Sequence, residues 1–175
     1  MANATERASK VAGKMREAAE ALKGERGIFR KLKEQHTEIA VLMDRISATT
    51  DTDTRVVVFP DVLTGLIALG RAEEAEFYRV LLGYETTRAM ARRALGEQQD
   101  IGALLDQVDR TDPREAAWSE AFDRVKRLTE QHFTEEEHVL FPEARKVLTE
   151  EEAGAMEGRF EARLAMEKEQ LTSSV

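Results

Sequence analysis

Apolar residues recur along this chain at intervals of three and four, which is the spacing of one face of an α-helix. The clearest of these stripes consists of Phe29, Leu32, His36, Ile39, Met43 and Ile46. The stripes and the turn signals between them predict six helices, over about residues 4–23, 27–48, 55–83, 84–109, 113–147 and 150–170. Because the second to fifth helices are long and joined by short loops, the pattern predicts an all-α, antiparallel up-down four-helix bundle with an extra helix at each end.

The domain boundaries follow from where these stripes begin and end. The first predicted helix has a small, weak stripe, so we interpret residues 1–26 as an N-terminal accessory helix and residues 27–170 as the bundle with its C-terminal helix. Two later helix starts carry capping signals. Asp112 precedes a proline that suits the first helical position, and Thr149 begins a Thr-Glu-Glu-Glu capping box.

Ligand-type side chains interrupt three of the apolar stripes. His36 stands in the middle of the first stripe, and Glu73 interrupts the stripe of the predicted third helix. His132 and Glu136 lie one turn apart on the inward face of the predicted fifth helix. Because a buried imidazole or carboxylate is costly unless it is paired, a metal ion held between facing helices would account for all four residues. The alternative is that both histidines are core residues satisfied by hydrogen bonds.

Several neighbours of these residues are assigned other roles. Glu74 and Glu137 are predicted to point outward or to support the site from behind; the alternative, which a helical phase shifted by one residue would give, is that either replaces its neighbouring glutamate as a ligand. His138 is predicted to lie on the surface. Tyr78 and Phe141 are predicted core residues. Each of them follows a glutamate pair, in the similar segments AEEAEFY and TEEEHVLFP, which indicates an internal similarity between the third and fifth helices.

Composition and charge exclude several classes of function. The net charge of −8 leaves no surplus of basic residues for nucleic acid. The absence of cysteine excludes disulfides, thiolate zinc sites and iron–sulfur clusters. Neither a glycine-rich phosphate loop nor a serine–histidine motif is present. Because the chain lacks a signal-peptide or membrane-spanning run, we expect a cytoplasmic protein with no membrane partner.

The segments LKEQHTEI, AEEAEFY, EQQDIGALL and EQHFTEEEHVLFP, in this order, resemble the hemerythrin-like (HHE cation-binding) family over about residues 27–165. Members of that family are four-helix bundles that hold a non-haem di-iron centre, so the resemblance implies an iron site. The residues that match the family's ligand positions are His36, Glu73, His132 and Glu136. Two expected histidines are missing, because their positions hold Leu69 and Gln98. Leucine cannot bind a metal, and a glutamine carbonyl binds iron weakly.

The resemblance therefore implies a metal-binding protein with a reduced ligand set. Its cofactor would be iron, mononuclear or di-iron, although another divalent metal or none also fits the residues. Such a protein would store or sense iron, or respond to dioxygen or nitric oxide; two imidazoles are too few for reversible dioxygen binding of the hemerythrin kind. One alternative is a metal-free bundle that acts as a structural or interaction module, whose terminal helices would bind a second copy or a protein partner. A redox enzyme is the least favoured interpretation, because only open coordination positions support it.

Overall fold

The computed structural model describes residues 22–173, together with Gly13 and Glu20. Within this part of the chain the helices are α1 (Gly27–Ser47), α2 (residues 52–81), α3 (Glu85–Asp109), α4 (residues 116–147) and α5 (Glu150–Ser173). The described residues contain no strand, which confirms the predicted all-α fold. None of these helices is long and apolar enough to cross a membrane. The predicted accessory helix of residues 1–26 falls largely outside the described residues.

The helices pack as a bundle in which α5 is an integral layer. Helix α1 packs against α2, α3 packs against α4, and α5 lies across both α1 and α2. The apolar face of α5 is buried, with Met156 and Phe160 at most 2% exposed. At the edge of this interface, Arg71 Nη1 of α2 is 3.0 Å from Glu167 Oε2 of α5. The predicted C-terminal helix is therefore present, and it covers the α1–α2 side of the core.

The start of α1 depends on a glycine. Gly27 has a φ of 59°, a left-handed conformation that residues with a Cβ rarely adopt. A Cβ at this position would lie 2.7 Å from the carbonyl oxygen of Ala153 in α5. This close approach fixes α1 against α5, so that Ile28 and Phe29 at the start of the apolar stripe enter the core.

Helix α4 begins later than its capping signal predicts. The Asp112 carboxylate accepts a hydrogen bond from the Arg114 backbone N–H at 2.9 Å and also binds the Arg114 guanidinium, which forms a local turn. The helix therefore starts at Ala116 and not at the proline that precedes Arg114. The capping box of α5 is present as predicted, since Thr149 N–H donates to Glu152 Oε2 at 2.8 Å and Glu152 N–H donates to Thr149 Oγ1 at 3.2 Å.

Candidate metal centre

Helices α2 and α4 each change from α to π geometry next to an inward glutamate. The π segment of α2 is Glu74–Tyr78, and that of α4 is Glu136–Leu140. The residue after each segment, Arg79 or Phe141, donates its backbone N–H to the carbonyl of the segment's first residue, five positions back. Such π segments within α-helices are frequent at functional sites. Here they set the direction of the side chains that reach the interior of the bundle.

Three of the four predicted ligands come together in that interior. His36 of α1, Glu73 of α2 and Glu136 of α4 are each at most 3% exposed. One ligand-type atom of each lies within 4.8 Å of the corresponding atoms of the other two. His36 Nε2 is 3.5 Å from Glu73 Oε1 and 3.2 Å from Glu136 Oε2. These side chains, from three different helices, are close enough to bind one cation.

The fourth predicted ligand, His132 of α4, lies beside this group of three. Its side chain is 2% exposed, and its Nε2 is 3.7 Å from Glu136 Oε2. The separation of four residues along α4 places His132 and Glu136 on the same face. Glu136 is therefore the carboxylate that both buried imidazoles approach.

A second glutamate holds each of these imidazoles from behind. His36 Nδ1 donates to Glu137 Oε1 at 2.8 Å, and His132 Nδ1 donates to Glu97 Oε2 at 2.9 Å. Because a carboxylate oxygen accepts the Nδ1 proton, the Nε2 atom of each ring faces the interior. A carboxylate behind a histidine in this way fixes the ring orientation and raises its basicity as a metal ligand. Glu137 thus has the supporting position predicted for it.

Glu97 was not predicted. It lies one residue before Gln98 in the polar run Glu97-Gln98-Gln99-Asp100, where no apolar stripe marks an inward face. Its helical phase relative to His132 could not be read from either helix alone, because the contact joins α3 to α4. The exposed position predicted for His138 agrees with the structure, in which its Nδ1 donates to the Thr134 carbonyl of its own helix at 2.9 Å.

The two oxygens of Glu136 differ in their hydrogen bonding. Oε1 accepts a hydrogen bond from the Tyr78 hydroxyl at 2.5 Å. Oε2 is buried and has no hydrogen-bond partner among the described residues. A buried carboxylate oxygen is costly unless a positive charge balances it, and that charge is either a protonated His36, whose Nε2 lies 3.2 Å away, or a bound cation. The donor set around it, imidazole nitrogens and carboxylate oxygens, suits iron or another divalent transition metal.

Polar contacts from two other residues complete the centre. Gln98, at one of the missing-histidine positions, donates its amide to Glu73 Oε2 at 2.5 Å and to the Tyr78 hydroxyl at 3.2 Å. The Tyr78 hydroxyl also lies 3.4 Å from His132 Nε2. Burial, followed by the charges of Glu136 and Glu73, raises the pKa of Tyr78 well above its ordinary value. The prediction of Tyr78 as a core residue is therefore right for its ring, but it missed the hydroxyl.

Burial and charge shift the pKa values of the central residues in different directions. Burial, and then the charge of Glu136, raises the pKa of Glu73 to about 7. Burial alone would raise the pKa of Glu136. The contact with His36, the charge of His132 and the hydrogen bond from the Tyr78 hydroxyl have a larger effect, so this pKa is lowered. Burial acts to lower the pKa of His36, yet the surrounding carboxylates raise it well above its ordinary value. Without a metal, a proton on His36 thus provides positive charge where a cation would bind.

A cleft between α2 and α3 reaches the centre. Its volume is about 290 Å³, and its wall includes Glu73, Gln98 and His132. The apolar residues of the wall include Leu66, Leu69, Leu95, Ile101, Leu105 and Phe133. Leu69 occupies the other missing-histidine position and contributes only apolar surface to this wall. On the opposite side, His36 and Glu137 line an open groove between α1 and α4.

A known protein family matches residues 28–144 of this chain. This range matches the family described as "Hemerythrin HHE cation binding domain". It takes in nearly all of α1 to α4 and every residue of the centre, and it stops before α5. A search of the curated proteins found no match, and neither did a search of the solved structures.

Proposed function

The chain belongs to the family of hemerythrin HHE cation-binding domains, and from this premise we propose that it binds iron in the centre between α1, α2 and α4. The ligands in this proposal are His36, Glu73, His132 and Glu136. The observation that carries it is the convergence of both buried imidazoles on Glu136 Oε2, with His36 Nε2 at 3.2 Å and His132 Nε2 at 3.7 Å. A cation at this point would neutralise that oxygen and accept the Nε2 lone pairs.

The surroundings of the centre support a role in storage or sensing over reversible dioxygen transport. Leu69 and Gln98 stand where the family has histidines, which leaves two inward imidazoles. When bound, iron would keep open coordination positions for a small ligand such as dioxygen or nitric oxide. The apolar cleft beside Leu69 would give such a ligand access and disfavour water. We therefore propose that the protein stores or senses iron, or senses one of these diatomic molecules.

Elemental analysis of untagged protein tests iron binding directly. We expect iron to copurify and a chelator to lower the melting temperature, because a ligand held only by the native state adds RT ln(1 + [L]/Kd) to stability. His132→Ala should lose iron, whereas His138→Ala, which replaces an exposed histidine on the same helix, should retain it. Wild-type protein that stays iron-free after reconstitution, with a melting temperature indifferent to iron, would contradict the proposal.

A metal-free structural module is the second candidate, and one observation favours it. Most polar atoms of the centre have protein partners, since Glu73 accepts from Gln98 and Glu136 accepts from Tyr78. The variant Glu73→Gln separates the two candidates in iron-replete buffer at neutral to basic pH. A metal ligand should lose affinity and stability on this change, whereas a metal-free core should gain stability because a desolvated charge is removed.

A further inference from the structure

Each of the two inward glutamates is held at one oxygen by a protein donor. Glu73 Oε2 accepts a hydrogen bond from the Gln98 amide at 2.5 Å, and Glu136 Oε1 accepts one from the Tyr78 hydroxyl at 2.5 Å. Because an ionised carboxylate can only accept hydrogen bonds, the Gln98 group that faces Glu73 is its NH2. The same nitrogen donates to the Tyr78 oxygen at 3.2 Å. One continuous chain of hydrogen bonds therefore joins the two carboxylates.

The remaining oxygens of the two glutamates approach the imidazoles. Glu73 Oε1 lies 3.5 Å from His36 Nε2, and Glu136 Oε2 lies 3.2 Å from the same nitrogen. His132 Nε2 is 3.7 Å from Glu136 Oε2. The oxygens outside the hydrogen-bonded chain thus belong to a single group of ligand-type atoms, together with the two ring nitrogens.

A second metal ion would need the oxygens that the hydrogen-bonded chain occupies. A carboxylate that bridges two ions through both of its oxygens binds each ion with a different one, which leaves Glu73 Oε2 and Glu136 Oε1 for a second ion. Both oxygens already face the positive end of an N–H or O–H dipole, and such a dipole repels a cation. Hydrogen bonds to a charged acceptor are also the strong ones, so a second ion would have to break two of them.

Resting on the iron-binding function proposed above, we propose that the centre is mononuclear and that Gln98 and Tyr78 are the positioning residues that make it so. Gln98 orients Glu73, and Tyr78 orients Glu136, so that each glutamate presents one oxygen to the ion. Gln98 stands where the resemblance to the family implies a histidine. Its amide therefore has two effects: a ligand for a second ion is lost, and a donor occupies one of the carboxylate oxygens.

The amount and the magnetic state of bound iron test the nuclearity. We expect the wild type to bind one iron ion per chain. After oxidation to Fe(III), it should give the electron paramagnetic resonance (EPR) signal of an isolated high-spin ion, and this signal should account for nearly all of the iron. Two Fe(III) ions bridged by carboxylates couple antiferromagnetically, so a di-iron centre would give no such signal.

Removal of the Gln98 amide tests the positioning role. Gln98→Leu keeps a side chain of similar size, and we expect iron affinity to fall about 10- to 100-fold. The shape of the EPR signal should also change, because Glu73 could then bind the ion through both oxygens; a loss of stability alone would not alter this shape. Tyr78→Phe should act in the same way through Glu136. The matched control is Gln99→Leu, an exposed neighbour on α3, which should retain the wild-type affinity and signal.

The possible outcomes separate this inference from the proposed function. Wild-type protein that binds two iron ions per chain, or iron that is mostly EPR-silent as Fe(III), would overturn the mononuclear centre and leave iron binding intact. Wild-type affinity and signal in Gln98→Leu, or equal changes in Gln99→Leu, would overturn the positioning role. Protein that binds no iron would overturn both proposals. If Gln98→Leu fails to fold, the wild-type measurements still decide the nuclearity and Tyr78→Phe tests the positioning role.

Discussion

The centre consists of two halves, one around His36 and the other around His132. The halves share one arrangement and differ in one chemical group. In each half a glutamate holds the imidazole Nδ1, at 2.8 Å for His36 and 2.9 Å for His132. Each half also contains an aromatic residue that lies at the end of a π segment or just after one. That residue is Phe141 near His36, with ring centroids 6.1 Å apart, and Tyr78 near His132, with its hydroxyl 3.4 Å from the ring nitrogen.

The surroundings of the two halves follow the same division. The His36 ring stacks on Phe133 with centroids 3.9 Å apart, so its environment on that side is aromatic and apolar. The His132 half contains a hydroxyl and the Gln98 amide, and it opens on the cleft between α2 and α3. The comparison teaches that the helical framework fixes where ligand atoms lie. Single residues within that framework decide which polar groups each half contains.

Replacement of Glu136, the carboxylate that both imidazoles approach, should disrupt both halves at once and give the largest effect. We expect Glu136→Ala to reduce bound iron to background and to destabilise the metal-free protein by about 3 kcal/mol, because His36 would lose a buried counter-charge. The control is Glu135→Ala, at the neighbouring position. Glu135 forms a surface ion pair with Arg93, so its loss should cost about 0.5 kcal/mol.

Metal analysis and urea denaturation of these two variants check this prediction. If Glu136→Ala kept the wild-type iron content, Glu136 would not be a metal ligand. Equal losses of stability in the two variants would mean that Glu136 behaves as a surface residue, contrary to its burial.

The glutamates behind the imidazoles allow each half to be weakened separately. Glu137→Gln should act on the His36 half and Glu97→Gln on the His132 half, each with a loss of about 10- to 100-fold in metal affinity. Calorimetric metal titration measures both effects.

A matched control for this pair is Glu130→Gln. Glu130 lines the groove beside His36, pairs with Lys126 at 3.1 Å, and is not among the hydrogen-bond partners of the His36 and His132 imidazoles in the described part of the chain. If metal affinity fell as much in Glu130→Gln as in Glu137→Gln and Glu97→Gln, the loss would be a general effect of charge. It would then not indicate that Glu137 and Glu97 position the imidazoles.

Helical periodicity was sufficient to predict the bundle and the inward direction of its ligand-type residues. His36, Glu73, His132 and Glu136 interrupt apolar stripes, and a stripe identifies the buried face of a helix whatever its partners are. The prediction that these four residues bind a metal is still to be tested. The start of α4 was misplaced, because the Asp112 carboxylate caps a turn with Arg114 before the helix begins.

Periodicity could not predict the contacts that distinguish the two halves. A pattern with 3.6 residues per turn treats each helix as uniform, whereas the segment Glu74–Tyr78 is π-helical and turns the Tyr78 hydroxyl toward the centre. The contact between Glu97 and His132 joins two helices. It depends on their relative rotation, which no pattern within one helix contains.

The last effect we predict is a pH dependence that involves Glu73 and His36. In the metal-free protein the pKa of Glu73 is raised from 4.5 to about 7, and that of His36 is also raised above its ordinary value. Groups with a raised folded-state pKa stabilise the fold fully below their unfolded-state pKa and lose this contribution as pH rises through the folded-state pKa. The lowered pKa of Glu136 acts in the opposite sense, but its contribution is lost only as pH falls through and below 4.5.

The free energy of unfolding of chelator-treated protein should therefore decrease as pH rises from 4.5 through about 7, the unfolded- and folded-state pKa values of Glu73, and loss of the His36 proton should continue the decrease at higher pH. In Glu73→Gln this decrease should be smaller, since one of the two groups responsible no longer titrates, while Glu74→Gln at an exposed neighbouring position should keep the wild-type slope. Urea denaturation at several pH values measures these slopes. A flat wild-type profile, or an equal change of slope in both variants, would mean that the buried Glu73 carboxyl does not govern the pH response and that the His36 half is not electrostatically distinct.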